Sequence, residues 1–187
     1  MISSKLIRYS FIKNKIGMKK NILLIQSRIN NAIIRQEKEC ILRFLGEEIV
    51  LLSKNIFEND LNLSENDLDK IDGIIIGGSG EFSISKKTKN KELWLKIKKI
   101  TPFIKKAIKK NIPILGICLG HQYLAYVLGS KIINDKKQKE VGAFKISLTA
   151  RGKKDPLFKN LPPNFLAQEG HEDCVEKLPK GASLLAW

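Results

Sequence analysis

The sequence predicts an α/β fold with a doubly wound, mostly parallel sheet and helices on both faces. Apolar runs of strand length at residues 21–25, 71–76 and 112–117 lack polar alternation, which is typical of strands covered on both faces. Helical patterns of apolar residues lie between these runs. Two of the runs end in glycine-containing turns, as expected where parallel strands lead into helices.

The first third of the chain predicts two strands around one helix. Asn30 or Asn31 can cap a helix after the strand at 21–25, and Gly46 can end it. A second strand is expected at 49–52, and one turn of helix is expected after Ser64. One side of the predicted helix carries apolar residues: Ile33, Cys40, Ile41, Phe44 and Leu45.

The middle of the chain predicts a long helix before the third apolar run. Residues 83–91 are polar and lysine-rich, which predicts a surface loop, and helical spacing of apolar residues then begins at Glu92. Pro102 interrupts this pattern. With Thr101 as a cap and proline at the first helical position, the pattern predicts either two helices or one kinked helix that ends at Asn111.

The last third predicts one more helix and several strands. The helix begins at His121 and ends at Gly129. Strands are expected at 131–134, 141–148, 165–168 and 181–187, and the second of these alternates apolar and polar residues. Its inward face is expected to carry Phe144, Ile146 and Leu148.

Length and composition suit one soluble globular domain. The chain has 187 residues, of which 43% are hydrophobic and 28% are charged. We expect the domain to span residues 18–187, with residues 1–17 as a disordered extension upstream of a natural start at Met18. No apolar run approaches the length of a membrane span, so a membrane location is not expected.

The net charge of +15 does not by itself indicate a nucleic-acid partner. Specific nucleic-acid recognition relies on arginine forks and aromatic stacking, whereas the lysines of this chain are spread over many segments. No specific nucleic-acid partner is therefore expected. The few arginines are Arg8, Arg28, Arg35, Arg43 and Arg151.

The cysteine pattern argues against a disulfide framework and against a structural zinc site. Cys40, Cys118 and Cys174 are odd in number and form no Cys-x-x-Cys pair. This usage favours a reducing cytoplasm. No metal ion and no cofactor are expected.

One of the three cysteines lies on a turn that can present a nucleophile. Gly116 and Gly120 flank Cys118 in a Gly-x-Cys-x-Gly segment between a predicted strand and a predicted helix. A strand-to-helix turn this tight needs small residues around the central one. The first N–H groups of the helix favour negative charge on the sulfur. The alternative is an inert cysteine buried among turn glycines.

A second glycine-rich turn, at 77–80, supports the nucleophile. The carboxyl ends of parallel strands share one edge of a sheet, where ligands bind. Backbone N–H groups of Gly78 and Gly80 are therefore expected to face Cys118. With the N–H of Leu119, they would hold the negative oxygen that forms during acyl transfer.

Residues 112–122, with the sequence Ile-Pro-Ile-Leu-Gly-Ile-Cys-Leu-Gly-His-Gln, resemble the nucleophile signature of class I glutamine amidotransferases. These enzymes hydrolyse the side-chain amide of glutamine with a cysteine triad. Weaker resemblances lie at 72–78, 140–142 and 170–186, so that the likeness extends from Met18 to Trp187. The resemblance implies a flavodoxin-like fold.

The resemblance also implies residue roles. Cys118 would attack the amide carbon and form a glutamyl thioester, and the N–H groups of Gly78 and Leu119 would form the oxyanion hole. Gln122 would help to hold the glutamine head group. The ammonia would pass to a synthase domain or partner.

The chain departs from the family pattern at the residues that would act as the catalytic base. The family pairs its cysteine with a later His-x-Glu step, whereas this chain has only His121 and His171. His121 is expected to pack or cap, because neighbours of Cys118 at a helix start point apart. His171 with Asp173 is an alternative pair, although its position resembles an upstream His-x-Asp element of the family. We therefore expect a C-terminally truncated chain with weak or absent turnover.

Two other functions stay open at this stage. One is a γ-glutamyl peptidase or a related cysteine hydrolase, which would use the same nucleophile on a different substrate. The other is a non-catalytic module that keeps the fold without the triad.

Overall fold

The computed structural model describes residues 2–3, 19–59, 61–86 and 90–187. The chain divides into two compact units. The N-terminal unit comprises the described residues from 19 to 121, and the C-terminal unit comprises residues 122–187 together with strand β1 (Ile2–Ser3). The expected extension at 1–17 and start at Met18 lie outside the described residues, apart from β1.

The N-terminal unit is built on a parallel four-stranded sheet. Its strands are β2 (Lys20–Gln26), β3 (Ile49–Asn55), β4 (Gly73–Ile76) and β5 (Ile114–Gly116), in the order β3-β2-β4-β5. Helix α1 (Asn31–Leu42) connects β2 to β3, and helix α2 (Lys91–Lys109) connects β4 to β5. The connection from β2 to β3 runs towards one edge of the sheet, and the connection from β4 to β5 runs towards the other edge. Because connections between parallel strands are right-handed, the two helices lie on opposite faces of the sheet. The predicted doubly wound sheet is confirmed.

The strand order reverses between β2 and β4. Ligands of doubly wound proteins bind outside the carboxyl ends of the strands at such a reversal. The loop at 27–30 follows β2 and the loop at 77–80 follows β4. The fold therefore marks the space between these two loops as a ligand-binding position.

The central strands are buried as predicted, whereas β5 is not. Leu24, Ile25 and Ile76 are at most 1% exposed. Leu115 and Ile117, in contrast, are 49% and 42% exposed. The prediction of full burial is wrong for β5 because this strand is the edge of the sheet rather than an interior strand.

Helix α1 begins as predicted and ends earlier. The Asn30 side chain accepts a hydrogen bond from the backbone N–H of Ala32 at 2.8 Å, so Asn30 is the cap. The helix ends at Leu42 and none of its residues is fully buried. Phe44 lies beyond the helix and is 89% exposed, so its prediction as part of the apolar side is wrong.

Helix α2 is continuous through Pro102, which excludes the alternative of two helices. Thr101 does not cap a second helix. Its Oγ1 donates to the carbonyl oxygen of Ile97 at 2.7 Å. Of the residues predicted on its apolar face, Leu93, Ile97, Ile100 and Ile104 are buried, whereas Ile108 is half-buried. The buried face also contains residues that the spacing did not predict, namely Trp94, Phe103 and Ala107.

Helix α3 (Leu119–Val127) follows β5 after a two-residue turn. It starts two residues before the predicted His121. Gly129 follows it with a φ of 95°, as expected for a glycine that ends a helix.

The C-terminal unit contains antiparallel pairs. Its strands are β6 (Ile132–Asn134), β7 (Glu140–Ser147), β8 (Asn164–His171), β9 (Asp173–Val175) and β10 (Ser183–Leu184). Strand β6 pairs with β9, β7 with β8, and β1 with β10. The predicted final strand at 181–187 is reduced to β10 and a bridge between Leu148 and Ala186, and β9 was not predicted.

Strand β7 alternates as predicted and supplies the core of the C-terminal unit. Ile146 and Leu148 are each 6% exposed, whereas Val141 on the opposite face is 68% exposed. Phe144 is half-buried on the inward face. The core cluster consists of Ile146, Leu148, Phe158, Leu185 and Ala186.

None of the helices in the described residues is both long enough and apolar enough to cross a membrane.

Candidate active site

Cys118 occupies the turn between β5 and α3 and is exposed. Its φ is 50°, in the left-handed region that residues other than glycine rarely adopt. Such strain persists only where the surrounding structure enforces it, and it concentrates at functional sites. The predicted strained strand-to-helix turn is therefore present, and the alternative of a buried cysteine does not describe this residue.

The two glycines of the turn explain what enforces this conformation. A Cβ atom on Gly116 would lie 2.6 Å from the backbone nitrogen of His121. A Cβ atom on Gly120 would overlap the carbonyl oxygen of Ile76 at the end of β4. Because neither position has room for a side chain, the start of α3 lies directly against the backbone of the strands.

Gly78 lies beside Cys118, as predicted. A Cβ atom on Gly78 would be 3.4 Å from the Cys118 Cβ and 3.6 Å from the carbonyl oxygen of Ile117. The N–H of Gly77 donates to Ile25 at 2.9 Å, whereas the N–H of Gly78 has no backbone acceptor among the described residues. This N–H is thus the first donor after β4 that the sheet does not use. Leu119, another of the predicted donors, is the buried first residue of α3.

Gly80 is placed differently from the prediction. Among the described residues that are not its chain neighbours, a Cβ built on Gly80 would have one atom within 4 Å, Nη1 of Arg28 at 4.0 Å. The turn therefore brings Gly78, and not Gly80, against Cys118. Gly80 extends the same edge towards Arg28.

Arg28 belongs to a polar cluster at the carboxyl end of β2 that sequence reasoning missed. Its Nη2 donates to Oε1 of Glu37 at 3.0 Å, and the two side chains are 18% and 13% exposed. The other carboxylate oxygen of Glu37 accepts from Nε2 of Gln26, also at 3.0 Å. Gln26 is fully buried and accepts in turn from the Ser53 hydroxyl at 2.6 Å. A signal was present, since Gln26 and Arg28 are polar residues at the end of an apolar strand.

Gln122 is buried rather than presented to solvent. It is 6% exposed, and its Nε2 donates to the carbonyl oxygen of Asp173 at 3.0 Å. This bond uses one of the two amide hydrogens and fixes the side chain within the C-terminal unit. The expected contact with a glutamine head group stays a prediction.

His171 has a different carboxylate partner from the one expected. Its Nε2 lies 2.9 Å from Oε2 of Glu140, directly opposite on β7, whereas the Asp173 carboxylate accepts from Asn134 at 3.2 Å. The Nδ1 of His171 is buried without a hydrogen-bond partner in the described part of the chain. The alternative pair of His171 with Asp173 is therefore corrected to His171 with Glu140.

The same strands bring together side chains of the types that bind metal ions. Ligand atoms of Glu140, Glu169 and His171 lie within 4.8 Å of one another, and all three residues are half-buried. The cross-strand contact between Glu140 and His171, and the alternation that puts Glu169 on the same face of β8 as His171, account for this proximity. It therefore does not change the expectation that no metal is required.

The remaining cysteines differ from Cys118 in their surroundings. Cys40 is exposed on α1. Cys174 is half-buried on β9, and this burial raises the pKa of its thiol. Neither lies on a strand-to-helix turn.

An exposed cysteine at positive φ, between a parallel strand and a helix and beside a glycine turn, is typical of α/β enzymes with a cysteine nucleophile. Comparison with known proteins identifies the family. The sequence model of the glutamine amidotransferase class-I family matches residues 36–187, so the chain belongs to this family.

Curated relatives include archaeal and plant proteins. Over 146 residues the chain is 32% identical to one subunit of the glutamine-hydrolysing GMP synthase of Methanocaldococcus jannaschii, covering 78% of this chain and 65% of the relative. Over 125 residues it is 33% identical to gamma-glutamyl peptidase 4 of Arabidopsis thaliana, covering 66% of this chain and 47% of the relative. The chain thus spans less than two thirds of the length of either relative.

Solved structures show the same fold. A glutamine amidotransferase from Thermotoga maritima superimposes with a TM-score of 0.67 at 22% identity, covering 89% of this chain and 66% of that one. A glutamine amidotransferase from Methylobacillus flagellatus gives a TM-score of 0.64 at 18% identity, covering 90% and 61%. The flavodoxin-like arrangement expected from the sequence is confirmed.

Proposed function

We propose that this chain carries the glutamine-hydrolysing site of an amidotransferase and that Cys118 is its nucleophile. The sulfur of Cys118 forms a bond to the side-chain amide carbon of glutamine, and the carbonyl electron pair moves to oxygen. When this pair returns, the carbon–nitrogen bond breaks, and the nitrogen takes up the proton that the thiol has given up and leaves as ammonia. Water then attacks the thioester, giving glutamate and restoring the thiol.

The observation that carries the proposal is the pairing of Cys118 with Gly78. The left-handed turn exposes Cys118, and Gly78 lies against it with an N–H that no described backbone group accepts. We propose that this N–H and that of Leu119 stabilise the negative oxygen of the intermediate. Oxyanion donors that are fixed before the reaction are among the largest contributions to catalysis.

The archaeal relatives support a synthase partner. Each is named as one subunit of a glutamine-hydrolysing GMP synthase, and an enzyme that is divided into subunits needs at least one further chain. We propose that the ammonia released here passes to such a partner. A cytoplasmic location is part of the proposal, because three cysteines that form no disulfide suit a reducing compartment.

The test is covalent labelling, because it reports the nucleophile and the binding site without requiring turnover. The reagent is a diazoketone analogue of L-glutamine, with a diazomethyl group in place of the amide nitrogen. We expect it to alkylate Cys118 at least about tenfold faster than Cys40, since binding concentrates the reagent at the site. The Cys40→Ala variant should be labelled like the wild type, and the Cys118→Ala variant should not. Equal labelling of the two cysteines would exclude the proposal.

The plant relative supports a second candidate, a γ-glutamyl peptidase that uses the same nucleophile. Its substrate would be the amide bond of a γ-glutamyl peptide, and its leaving group an amino acid. Mass spectrometry of the acyl-enzyme separates the two functions. Accumulation of the thioester with γ-glutamyl peptides and not with glutamine would favour the peptidase.

A further inference from the structure

We propose that Arg28 is a substrate-recognition residue that binds the α-carboxylate of the glutamyl substrate. The inference rests on the proposed function, which supplies the substrate class. Arg28 would make the site prefer substrates that carry a free α-carboxylate over other primary amides.

The guanidinium of Arg28 lies along the turn that contacts Cys118. A Cβ atom on Gly78 would be 3.5 Å from Nη2 of Arg28 and 3.4 Å from the Cys118 Cβ, so the two side chains flank the same glycine. A Cβ atom on Gly80 would be 4.0 Å from Nη1. Both terminal nitrogens therefore face the glycine turn, and this edge of a guanidinium can hold a carboxylate by two parallel hydrogen bonds.

The described residues do not supply acceptors for all the donors of this guanidinium. Arg28 has five N–H groups, and within the described residues its side-chain hydrogen bond joins Nη2 to Glu37. Its Nε is buried with no partner in that part of the chain. This nitrogen is not on the Nη1–Nη2 edge, but its lack of a partner shows that the described residues offer Arg28 fewer acceptors than it has donors.

The surrounding residues fix Arg28 in place. Glu37 holds the guanidinium and is itself held by the buried Gln26. The Asn55 side chain donates to the backbone carbonyl of Arg28 at 2.6 Å and is 5% exposed. The arginine is therefore positioned before a ligand arrives, which lowers the entropy cost of binding.

The dimensions suit a glutamyl substrate. Four bonds separate the amide carbon of glutamine from its α-carboxylate carbon, a span of roughly 5 Å when extended. With the amide carbon at Cys118, the carboxylate can reach across the width of Gly78 to the guanidinium. Glycine at this position keeps the path open, since a side chain there would lie between the two groups.

The alternative is that Arg28 only stabilises the structure of the glycine turn, which we call a bracing role. Two reagents distinguish this role from binding of the substrate carboxylate. The first is the diazoketone analogue of L-glutamine, and the second is the same molecule without its carboxylate. Both are applied to the full chain, and the second-order rate of Cys118 alkylation is measured by intact-protein mass spectrometry.

The wild-type protein alone provides the first measurement. We expect the carboxylate-bearing reagent to react roughly 10- to 100-fold faster than its counterpart, as two charge-assisted hydrogen bonds imply. Equal rates would overturn the inference whatever the variants do. Unselective labelling of Cys118 and Cys40 by the glutamine analogue would overturn the proposed function as well.

Variants then assign the preference to Arg28. Arg28→Gln should abolish the difference between the reagents while the rate of the decarboxylated one is unchanged. Arg28→Lys should retain part of the preference, because it keeps the charge and loses the planar fork. Arg35→Gln, an exposed position on α1, is the matched control and should react like the wild type. An equal loss of rate with both reagents in Arg28→Gln would show a bracing role and overturn the inference alone.

Discussion

A Cβ atom on Gly120 would overlap the carbonyl oxygen of Ile76, so that the first turn of α3 lies against the end of β4 with no side chain between them. This contact joins two elements that carry different parts of the site. Strand β4 leads into Gly78, and α3 begins directly after Cys118. The distance between the nucleophile and the glycine turn is therefore set by backbone packing rather than by flexible side chains.

Gly120→Ala should consequently destabilise the protein strongly. The added methyl group has to displace the backbone at 76–77, since the Ile76 carbonyl carbon would be 2.7 Å away. We expect the free energy of unfolding to fall by about 3 kcal/mol, at the upper end of overpacking penalties. Urea denaturation followed by circular dichroism measures the change.

Gly170→Ala is the matched control. Gly170 has no positive φ, and a Cβ atom there would meet no atom of the described residues within 4 Å, apart from its chain neighbours. Its unfolding midpoint should stay close to that of the wild type. An equal loss of stability in the two variants would contradict the backbone contact between Gly120 and Ile76.

Cys118→Gly should be more stable than Cys118→Ala. The φ of 50° costs a residue with a Cβ atom about 1 kcal/mol or more, whereas glycine adopts it freely. Glycine also increases the conformational entropy of the unfolded chain, which offsets part of this gain. We therefore expect the free energy of unfolding of Cys118→Gly to exceed that of Cys118→Ala by about 0.5 kcal/mol. The comparison is made by urea denaturation of the two variants, which both lack the thiol. A less stable glycine variant would show that the turn is not strained at Cys118.

The sequence predicted the nucleophile turn because its two glycines and its cysteine are local in the chain. Gly116 and Gly120 are explained by contacts of residues adjacent in sequence or in the sheet, and a strand-to-helix turn of this kind has a short signature. The parallel sheet was predictable for a similar reason, since Ile74, Ile75 and Ile76 are consecutive apolar residues with no polar alternation.

The polar cluster and the histidine pair could not be predicted in the same way. Arg28 and Glu37 are on different elements, and their contact depends on how α1 lies along β2. His171 and Glu140 meet through the register of β7 and β8, which places them directly opposite each other. Sequence proximity favoured Asp173 for His171, whereas the strand pairing selects Glu140.

Cys174 should react with iodoacetamide more slowly than the exposed Cys40. Burial raises the pKa of the Cys174 thiol, so that a smaller fraction is present as the reactive thiolate. We expect alkylation at least about tenfold slower than that of Cys40 at neutral pH, with the rate still rising well into the alkaline range. Peptide mapping after timed alkylation at several pH values measures both rates. Equal rates for the two cysteines at neutral pH would contradict the burial of Cys174.

Asp67→Asn should lower stability in a pH-dependent way. The backbone N–H of Ser64 donates to the Asp67 carboxylate at 2.8 Å and the Ser64 hydroxyl does so at 2.7 Å. These bonds, with the backbone bond contributing most, hold the pKa of Asp67 below the usual value of an aspartate. A carboxyl whose folded pKa is depressed stabilises the protein above its unfolded pKa, and this contribution is lost as the pH falls through the folded value.

The difference in the free energy of unfolding between wild type and Asp67→Asn should therefore be constant from about pH 5 upwards and should shrink below about pH 4. Its size at neutral pH should be about 0.5 kcal/mol, at the low end of capping effects because Asp67 is only half-buried. Urea denaturation across this pH range measures it. Glu39→Gln makes the same chemical change at an exposed position of α1, and should leave stability unchanged at every pH. A difference for Asp67→Asn that persists undiminished at acid pH would show that the carboxylate charge is not what caps this turn.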